Sequence, residues 1–122
     1  MRRRLVALAI ATMLVLLPLG TAQASVRVRV VNYRFKPALL SVTKGAMVIW
    51  RNASTTTHTV TAYGKGWSKN VTLSPGGQTG LVFKSAGTYK YYCSIHAHIA
   101  PNGACVANTG IPTRMCGKVR VG

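Results

Sequence analysis

Short runs of alternating apolar and polar residues are the feature that most constrains the fold of this chain. In residues 25–35, a valine stands at each even position from 26 to 30, and arginines stand at 27 and 29. A period of two, carried by β-branched residues, is typical of a strand with one buried face. We therefore expect residues 25–35 to form a half-buried strand, interrupted at Pro37 because proline cannot donate to a ladder.

The rest of the chain also consists of short strand-like runs separated by turns. Further strand-like runs are found at residues 39–42, 47–50, 59–62, 81–83, 88–92 and 118–121. The run at 47–50, MVIW, is apolar throughout, which predicts a strand buried on both sides. Turn signals such as SPGG at 74–77 separate the runs, and no helical period follows residue 24. The pattern predicts one all-β domain built as a sandwich.

The first 24 residues differ from this pattern and predict an export signal. Arginines at 2–4 form a basic start, residues 5–19 are mostly apolar, and AQA at 22–24 is a small-x-small cleavage site. A membrane anchor is the alternative, but the apolar run is shorter than the ~20 residues that span a bilayer. We expect residues 1–24 to be cleaved and residues 25–122 to work in the periplasm or outside the cell.

The charge balance excludes several function classes. The chain has 16 Lys and Arg residues and no Asp or Glu, and removal of the arginines at 2–4 leaves 13 cations. Carboxylate acid–base catalysis and carboxylate cages for calcium or magnesium are therefore excluded. The cations are scattered singly rather than clustered, so nucleic-acid binding is not expected. Acidic protein partners and anionic membrane surfaces are the expected targets.

Residues 93–96 carry the best candidate for a metal site. Cys93 and His96 are separated by two residues and follow a strand-like run, so a thiolate and an imidazole can bind one ion from a single turn. His58, at a loop-to-strand boundary, is the candidate third ligand, although a lone histidine is more often an ordinary residue. Two histidines and one cysteine are the trigonal core of a blue-copper centre, and zinc is an alternative ion.

The three cysteines are an odd number for an exported protein. If Cys93 is a metal ligand, Cys105 and Cys116 are left to form a disulfide. The alternative is a set of three free or mispaired thiols. Cys105 lies within residues 97–114, which show no strand pattern, and a loop of that length is usually functional or disordered.

Several of these motifs, in order, resemble the cupredoxins, and the plastocyanin, pseudoazurin and amicyanin branch most of all. The matching segments are FKP at 35–37, VTKG at 42–45, VIWRN at 48–52, HTV at 58–60, GTYKYYCSIH at 87–96 and MCGKVRV at 115–121. The resemblance implies a Greek-key β-sandwich that holds one type 1 copper ion and transfers single electrons. It also implies His58, Cys93 and His96 as equatorial ligands and Met115 as the axial ligand.

The chain departs from the family in the spacing of the methionine. Eighteen residues separate His96 from Met115, whereas the family usually has only a few at this point. Either residues 97–114 are an insertion and Met115 returns to the site, or Ile99 leaves the axial position empty. We favour Met115 because residues 115–121 match the family's register into the last strand. His98 is expected to face solvent.

The leading function is therefore a soluble, monomeric one-electron carrier that works with redox partner proteins and is not an enzyme. An exported protein that binds and delivers copper is the alternative, since it would use similar ligands. A copper oxidase or reductase needs additional metal centres, which three histidines cannot supply.

Overall fold

A computed structural model describes residue 7, residues 9–17 and residues 25–122 of the chain. Residues 9–17 have no regular secondary structure, and their side chains are exposed. Both the basic start of the predicted signal peptide and its cleavage site at 22–24 lie outside the described residues. Within the described residues, no helix is long and apolar enough to span a membrane.

Residues 25–122 form eleven β-strands. They are β1 (Ser25–Val31), β2 (Arg34–Lys36), β3 (Leu39–Val42), β4 (Met47–Asn52), β5 (His58–Tyr63), β6 (Asn70–Leu73), β7 (Gln78–Val82), β8 (Gly87–Tyr92), β9 (Ala97–Ile99), β10 (Cys105–Ala107) and β11 (Cys116–Val121). One sheet has the order β2-β1-β4-β7, a second has the order β3-β11-β8-β5-β6, and β9 and β10 form a separate hairpin. The chain crosses repeatedly between the two large sheets, so β1 and β4 become parallel neighbours, as do β3 and β11.

The two large sheets pack face to face around an aromatic core. The Tyr91 ring from β8 lies 5.3 Å from Trp50 of β4 and 4.7 Å from Phe35 of β2, both in edge-to-face geometry. Gly117 of β11 makes room for this ring, since a Cβ at that position would lie 2.3 Å from the Cζ of Tyr91. The predicted all-β sandwich is confirmed, and the core sits directly beneath the end of β8 that leads to Cys93.

Two features of the first sheet differ from the sequence prediction. Residues 25–35 are not one strand: the chain turns at 32–33, and β2 pairs back antiparallel on β1. Tyr33 makes this turn with a φ of 63°, a conformation that is uncommon for a tyrosine and gives no sequence signal. The strand at 47–50 is not buried on both sides either, because Val48 and Trp50 are buried while Met47 and Ile49 are half-buried.

Three further strands were not predicted, and the strand predicted at 81–83 begins three residues earlier. β6 pairs with β5, and it is only four residues long, with Val71 and Leu73 as its apolar side chains. β7 begins at Gln78 rather than at residue 81. The segment 97–114, which showed no strand pattern, contains the β9–β10 hairpin, in which Val106 pairs with His98. Strands of three residues are too short to show a period.

Candidate metal centre

Strand pairing brings His58, Cys93 and His96 together at one end of the sandwich. His58 begins β5, and Cys93 directly follows β8, which is the antiparallel neighbour of β5. His96 lies in the turn after Cys93, where the amide of His96 donates to the Cys93 carbonyl at 3.2 Å. The structure thus places the three predicted ligands next to one another.

The candidate ligand atoms of the three side chains face one another. The two Nδ1 atoms of His58 and His96 are 3.2 Å apart. Cys93 Sγ lies 3.8 Å from His58 Nδ1 and 3.4 Å from His96 Nδ1. All three atoms lie within 4.8 Å of one another, which is close enough for one metal ion to contact all of them. His58 and Cys93 are fully buried, whereas His96 is half-buried and reaches the surface.

The other ring nitrogen of His58 has its own partner. His58 Nε2 lies 3.0 Å from the Thr56 hydroxyl, which donates its proton to Asn32 Oδ1 at 2.9 Å. A hydroxyl that donates to Asn32 is left as an acceptor towards His58. The hydrogen therefore belongs on Nε2, and the lone pair of Nδ1 is free to bind a metal.

Asn52, which is buried at the end of β4, holds the loop that positions His58. Its side-chain amide donates to the carbonyls of Thr56 at 2.8 Å and Leu73 at 2.9 Å. Its Oδ1 accepts from the Ser54 amide at 3.0 Å and the Ser54 hydroxyl at 2.7 Å. A buried polar side chain with all these bonds satisfied fixes the backbone around it, so the loop at 53–57 presents Thr56 to His58 in one arrangement.

Thr59 joins the two ligand-bearing segments. Its amide donates to Cys93 Sγ at 3.3 Å, and its hydroxyl accepts from the Ser94 amide at 2.8 Å. Hydrogen bonding around a ligand sulfur stabilises the thiolate and affects the redox potential of a bound copper ion. Thr59 therefore acts on both the geometry and the electron density of the candidate site.

Both histidines are held in the neutral form that a metal requires. Burial, and after it the charge of nearby His96, lowers the pKa of His58 from 6.5 to about 4. Burial also lowers the pKa of His96 below its ordinary value. At neutral pH the two imidazoles are therefore uncharged, and protons compete little with a metal ion.

Cys105 and Cys116 form the predicted disulfide, with an S–S distance of 1.97 Å, and Cys93 is a free, buried thiol. The disulfide connects β10 to the start of β11, next to Met115. Met115 is fully buried in the same apolar cluster as Cys93, and its carbonyl accepts from the Cys93 amide at 3.0 Å. Its position between the disulfide and β11 is consistent with the axial role, which stays a prediction.

The other two residues considered for the site lie in β9. Ile99 is half-buried and pairs with Cys105 in the hairpin. His98 is exposed, as predicted, and its Nδ1 lies 2.8 Å from Asn108 Oδ1. Sequence reasoning missed Thr56, Asn32 and Thr59. The only available signal was the series of hydroxyl residues at 54–57 before His58, which is too common in loops to be specific.

The donor atoms fit copper well. Two neutral imidazoles and one thiolate in a buried pocket are the trigonal set of blue-copper sites, and a thiolate is the ligand that soft Cu(I) favours. Within the described residues, this is the one group of three or more potential metal-binding side chains that lie close enough to share an ion.

Comparison with known proteins also indicates a copper-protein fold. The family model for the cupredoxin-like domain matches residues 4–107. A purple cupredoxin from Nitrosopumilus maritimus superposes with a TM-score of 0.60 at 24% identity, covering 80% of this chain and 99% of that chain. A reduced amicyanin variant gives a TM-score of 0.60 at 25% identity, covering 84% of this chain and 87% of that chain.

A copper-containing nitrite reductase from Thermus scotoductus also shares the fold, with a TM-score of 0.59 at 21% identity. The match covers 80% of this chain but 22% of the reductase. No curated protein sequence matches the chain. With the donor set described above, the family match indicates one copper ion as the cofactor, and the chain belongs to the cupredoxin-like domain family.

Proposed function

We propose that this protein is a type 1 copper protein that carries single electrons outside the cytoplasm. The observation that carries the proposal is the buried cluster of His58, Cys93 and His96 on a cupredoxin fold. In this proposal residues 1–24 are a cleaved signal peptide and residues 25–122 are the working domain, with residues 97–114 as an insertion in the ligand loop. The amicyanin-like and cupredoxin neighbours support a carrier.

His58, Cys93 and His96 would hold the ion, and Met115 would be the axial ligand. Bound copper would supply one-electron cycling between Cu(I) and Cu(II). Burial of His58 and Cys93 excludes water from one side of the site. The hydrogen bonds that His58 makes to Thr56 and that Cys93 accepts from Thr59 would keep both ligand atoms oriented in either oxidation state. Little rearrangement is then needed during transfer. His96, which is half-buried, offers the route to a partner.

The same observations favour a carrier over the other candidates. A protein that delivers copper must release it, and two fully buried ligands oppose release. An oxidase or reductase would need a second metal centre. The chain has three histidines in total, and His98 is the one outside the cluster, where it is exposed. One exposed histidine cannot supply a second centre. We therefore propose that the protein is not an enzyme.

The expected partners are redox proteins with acidic surfaces, with an anionic membrane surface as a further contact. The protein itself is expected to be a monomer.

The copper proposal is tested by loading the protein with Cu(II). We expect one ion per chain, an intense visible band from the bond between Cys93 and copper, and reversible reduction without loss of the metal. Cys93→Ser should remove the band, since a hydroxyl is a harder and far less acidic ligand than a thiol. A coloured Cys93→Ser protein would show that Cys93 is not the ligand, and loss of copper on reduction would favour delivery.

The axial position is tested by two separate substitutions. Met115→Leu keeps the buried volume but removes the thioether, so the visible spectrum and the reduction potential should both change. Ile99→Met introduces a thioether in β9 and should leave both unchanged. If Met115→Leu leaves the spectrum and the potential as they were, the axial position is empty, and Met115 is only a core residue.

A further inference from the structure

The outer face of the four-stranded sheet concentrates the arginines of this protein. Residues 25–122 contain six arginines, and four of them project from this face: Arg27 and Arg29 on β1, Arg34 on β2 and Arg51 at the end of β4. All four are exposed, because their neighbours in each strand are the residues that point into the core. We call these four residues and Lys36, which is exposed on β2, the arginine face.

Cross-strand register places three of these cations side by side. Arg29 is the direct partner of Lys36 on one side and of Arg51 on the other. Like charges directly opposite each other in a sheet are destabilising, and a chain without Asp or Glu has no side-chain anion to offset them. These three cations repel one another in the folded protein, and an external anion bound between them would relieve this repulsion.

The arginine face is also concave. Arg27, Arg29 and Arg51, with Ala53, line a cleft of about 450 Å³. Guanidinium groups bind carboxylates in bidentate geometry, and arginine is enriched at protein interfaces whereas lysine is depleted. Ile49, which pairs with Arg27, and Met47 add a half-buried apolar strip on the same sheet. Cations beside an apolar strip are typical of a surface that contacts another protein.

The arginine face adjoins the end of the sandwich that holds the candidate metal site. Arg51 directly precedes Asn52, which holds the loop of Thr56 and His58. On the neighbouring edge, Arg34 directly follows Tyr33, whose ring lies 5.1 Å from the His96 ring in edge-to-face geometry. A molecule that covers the arginine face and this edge would therefore lie close to His96, which is half-buried.

We propose that the arginine face is the docking surface for a partner protein that presents a cluster of Asp and Glu side chains. The proposal rests on the function proposed above, because it places an acidic redox partner beside His96. A membrane also presents phosphate groups that guanidinium groups bind, but a cleft between three guanidinium groups beside a half-buried apolar strip favours a protein surface with carboxylates. The opposite sheet also carries an exposed like-charge cross-strand pair, but it consists of two lysines, Lys90 and Lys118.

The experiment compares two double variants of the copper-loaded protein that lose the same charge. Arg29→Gln/Arg51→Gln removes two cations of the arginine face, and the control Lys118→Gln/Arg120→Gln removes two exposed cations of the opposite sheet. The probe is poly-L-glutamate, measured by calorimetry at low salt. We expect the first variant to bind about tenfold more weakly, since bonds to charged groups are strong, and the control to change by less than about threefold, since it alters only the general field.

Equal weakening in the two variants would overturn the proposal, because the attraction would then depend on net charge alone. Vesicles of phosphatidylglycerol and phosphatidylcholine in equal parts form the second arm. If they bind the protein while poly-L-glutamate does not, the face recognises lipid, and the proposal is also overturned. An unchanged visible spectrum in both variants shows that they are folded. If the unsubstituted protein stays colourless when Cu(II) is added, the proposed function is contradicted. Binding of poly-L-glutamate is measured separately, so it still tests the arginine face.

Discussion

The imidazole of His58 is fully buried, so each of its two ring nitrogens needs a partner. Nδ1 faces Cys93 and His96, and Nε2 faces the Thr56 hydroxyl. In an ordinary buried histidine, both nitrogens would be bonded to protein groups that have no other role. Here one nitrogen is bonded by a loop hydroxyl, and the other points at a free thiol and a second imidazole. That division is what distinguishes a ligand from a core residue.

Thr56→Val tests this division at the scale of one residue. The variant keeps the shape of the side chain but removes the acceptor for Nε2–H, so the tautomer that frees Nδ1 is no longer favoured. Loss of such a bond typically weakens metal affinity by 10–100-fold. We expect about tenfold, because Thr56 is exposed and water can replace the hydroxyl in part. The measurement is competition for Cu(II) with a chelator, together with the reduction potential.

Thr56→Ser is the matched control, because it retains the hydroxyl and removes only a methyl group. It should bind copper with nearly the affinity of the unsubstituted protein. If Thr56→Val and Thr56→Ser behave alike, the hydroxyl does not orient His58, and burial alone holds the ring.

At the scale of the elements, a cross-link ties the hairpin β9–β10 to the segment that holds Met115. The disulfide from Cys105 to Cys116 fastens the hairpin to the start of β11, directly beside Met115. On the chain-entropy model a loop of this length is stabilised by roughly 3 kcal/mol. The same bond limits how far the backbone of Met115 can move. The insertion is therefore both a surface hairpin and a restraint on the predicted axial residue.

The double variant Cys105→Ala/Cys116→Ala should lower the free energy of unfolding by roughly 3 kcal/mol in urea titrations. It should also broaden or shift the visible band, since Met115 would lose its restraint on one side. His98→Ala is the control within the same hairpin: it removes one exposed hydrogen bond and should change the stability by less than about 0.5 kcal/mol. A double variant with unchanged stability and spectrum would show that β11 alone positions Met115.

How well each strand could be predicted from the sequence depends on its length. β3 occupies residues 39–42 as predicted, because Pro37 and Gly45 limit it on both sides. β9 and β10 have three residues each and no visible period, and a cross-link rather than a pattern stabilises them. The turn at Tyr33 was missed because a tyrosine at positive φ has no local signature.

The same reasoning applies to the candidate site. His58, Cys93 and His96 could be grouped from the sequence because their residue types carry the chemistry, and the structure brings them together. Thr56 and Asn32 could not, because their contact joins residues 24 positions apart and depends on the fold of two loops. Hydrogen-bonding residues around a ligand set are visible only once the tertiary structure is known.

At the scale of the whole molecule, the lack of Asp and Glu makes acid stability unusually simple. Ordinary acid denaturation reflects protonation of paired carboxylates, and this chain has no carboxylate side chains. The groups left to titrate between neutral pH and pH ~4 are the histidines. In the folded state the pKa of His58 is lowered to about 4, mainly by burial, and the pKa of His96 is lowered in the same direction.

We therefore expect the copper-free protein to lose stability only in the window set by these histidines. In the unfolded chain His58 takes up a proton near pH ~6.5, whereas in the folded protein it does so near 4. The unfolded state binds more protons in between, so the stabilisation is fully present above pH ~6.5 and is lost as the pH falls through 4. The loss from His58 is on the order of 3 kcal/mol. Urea unfolding at pH values of about 7.5, 5.5 and 3.5 measures it, and His58→Gln should flatten most of the slope. If His58→Gln shows the same slope, the acid sensitivity must come from general charge repulsion and not from the buried imidazole.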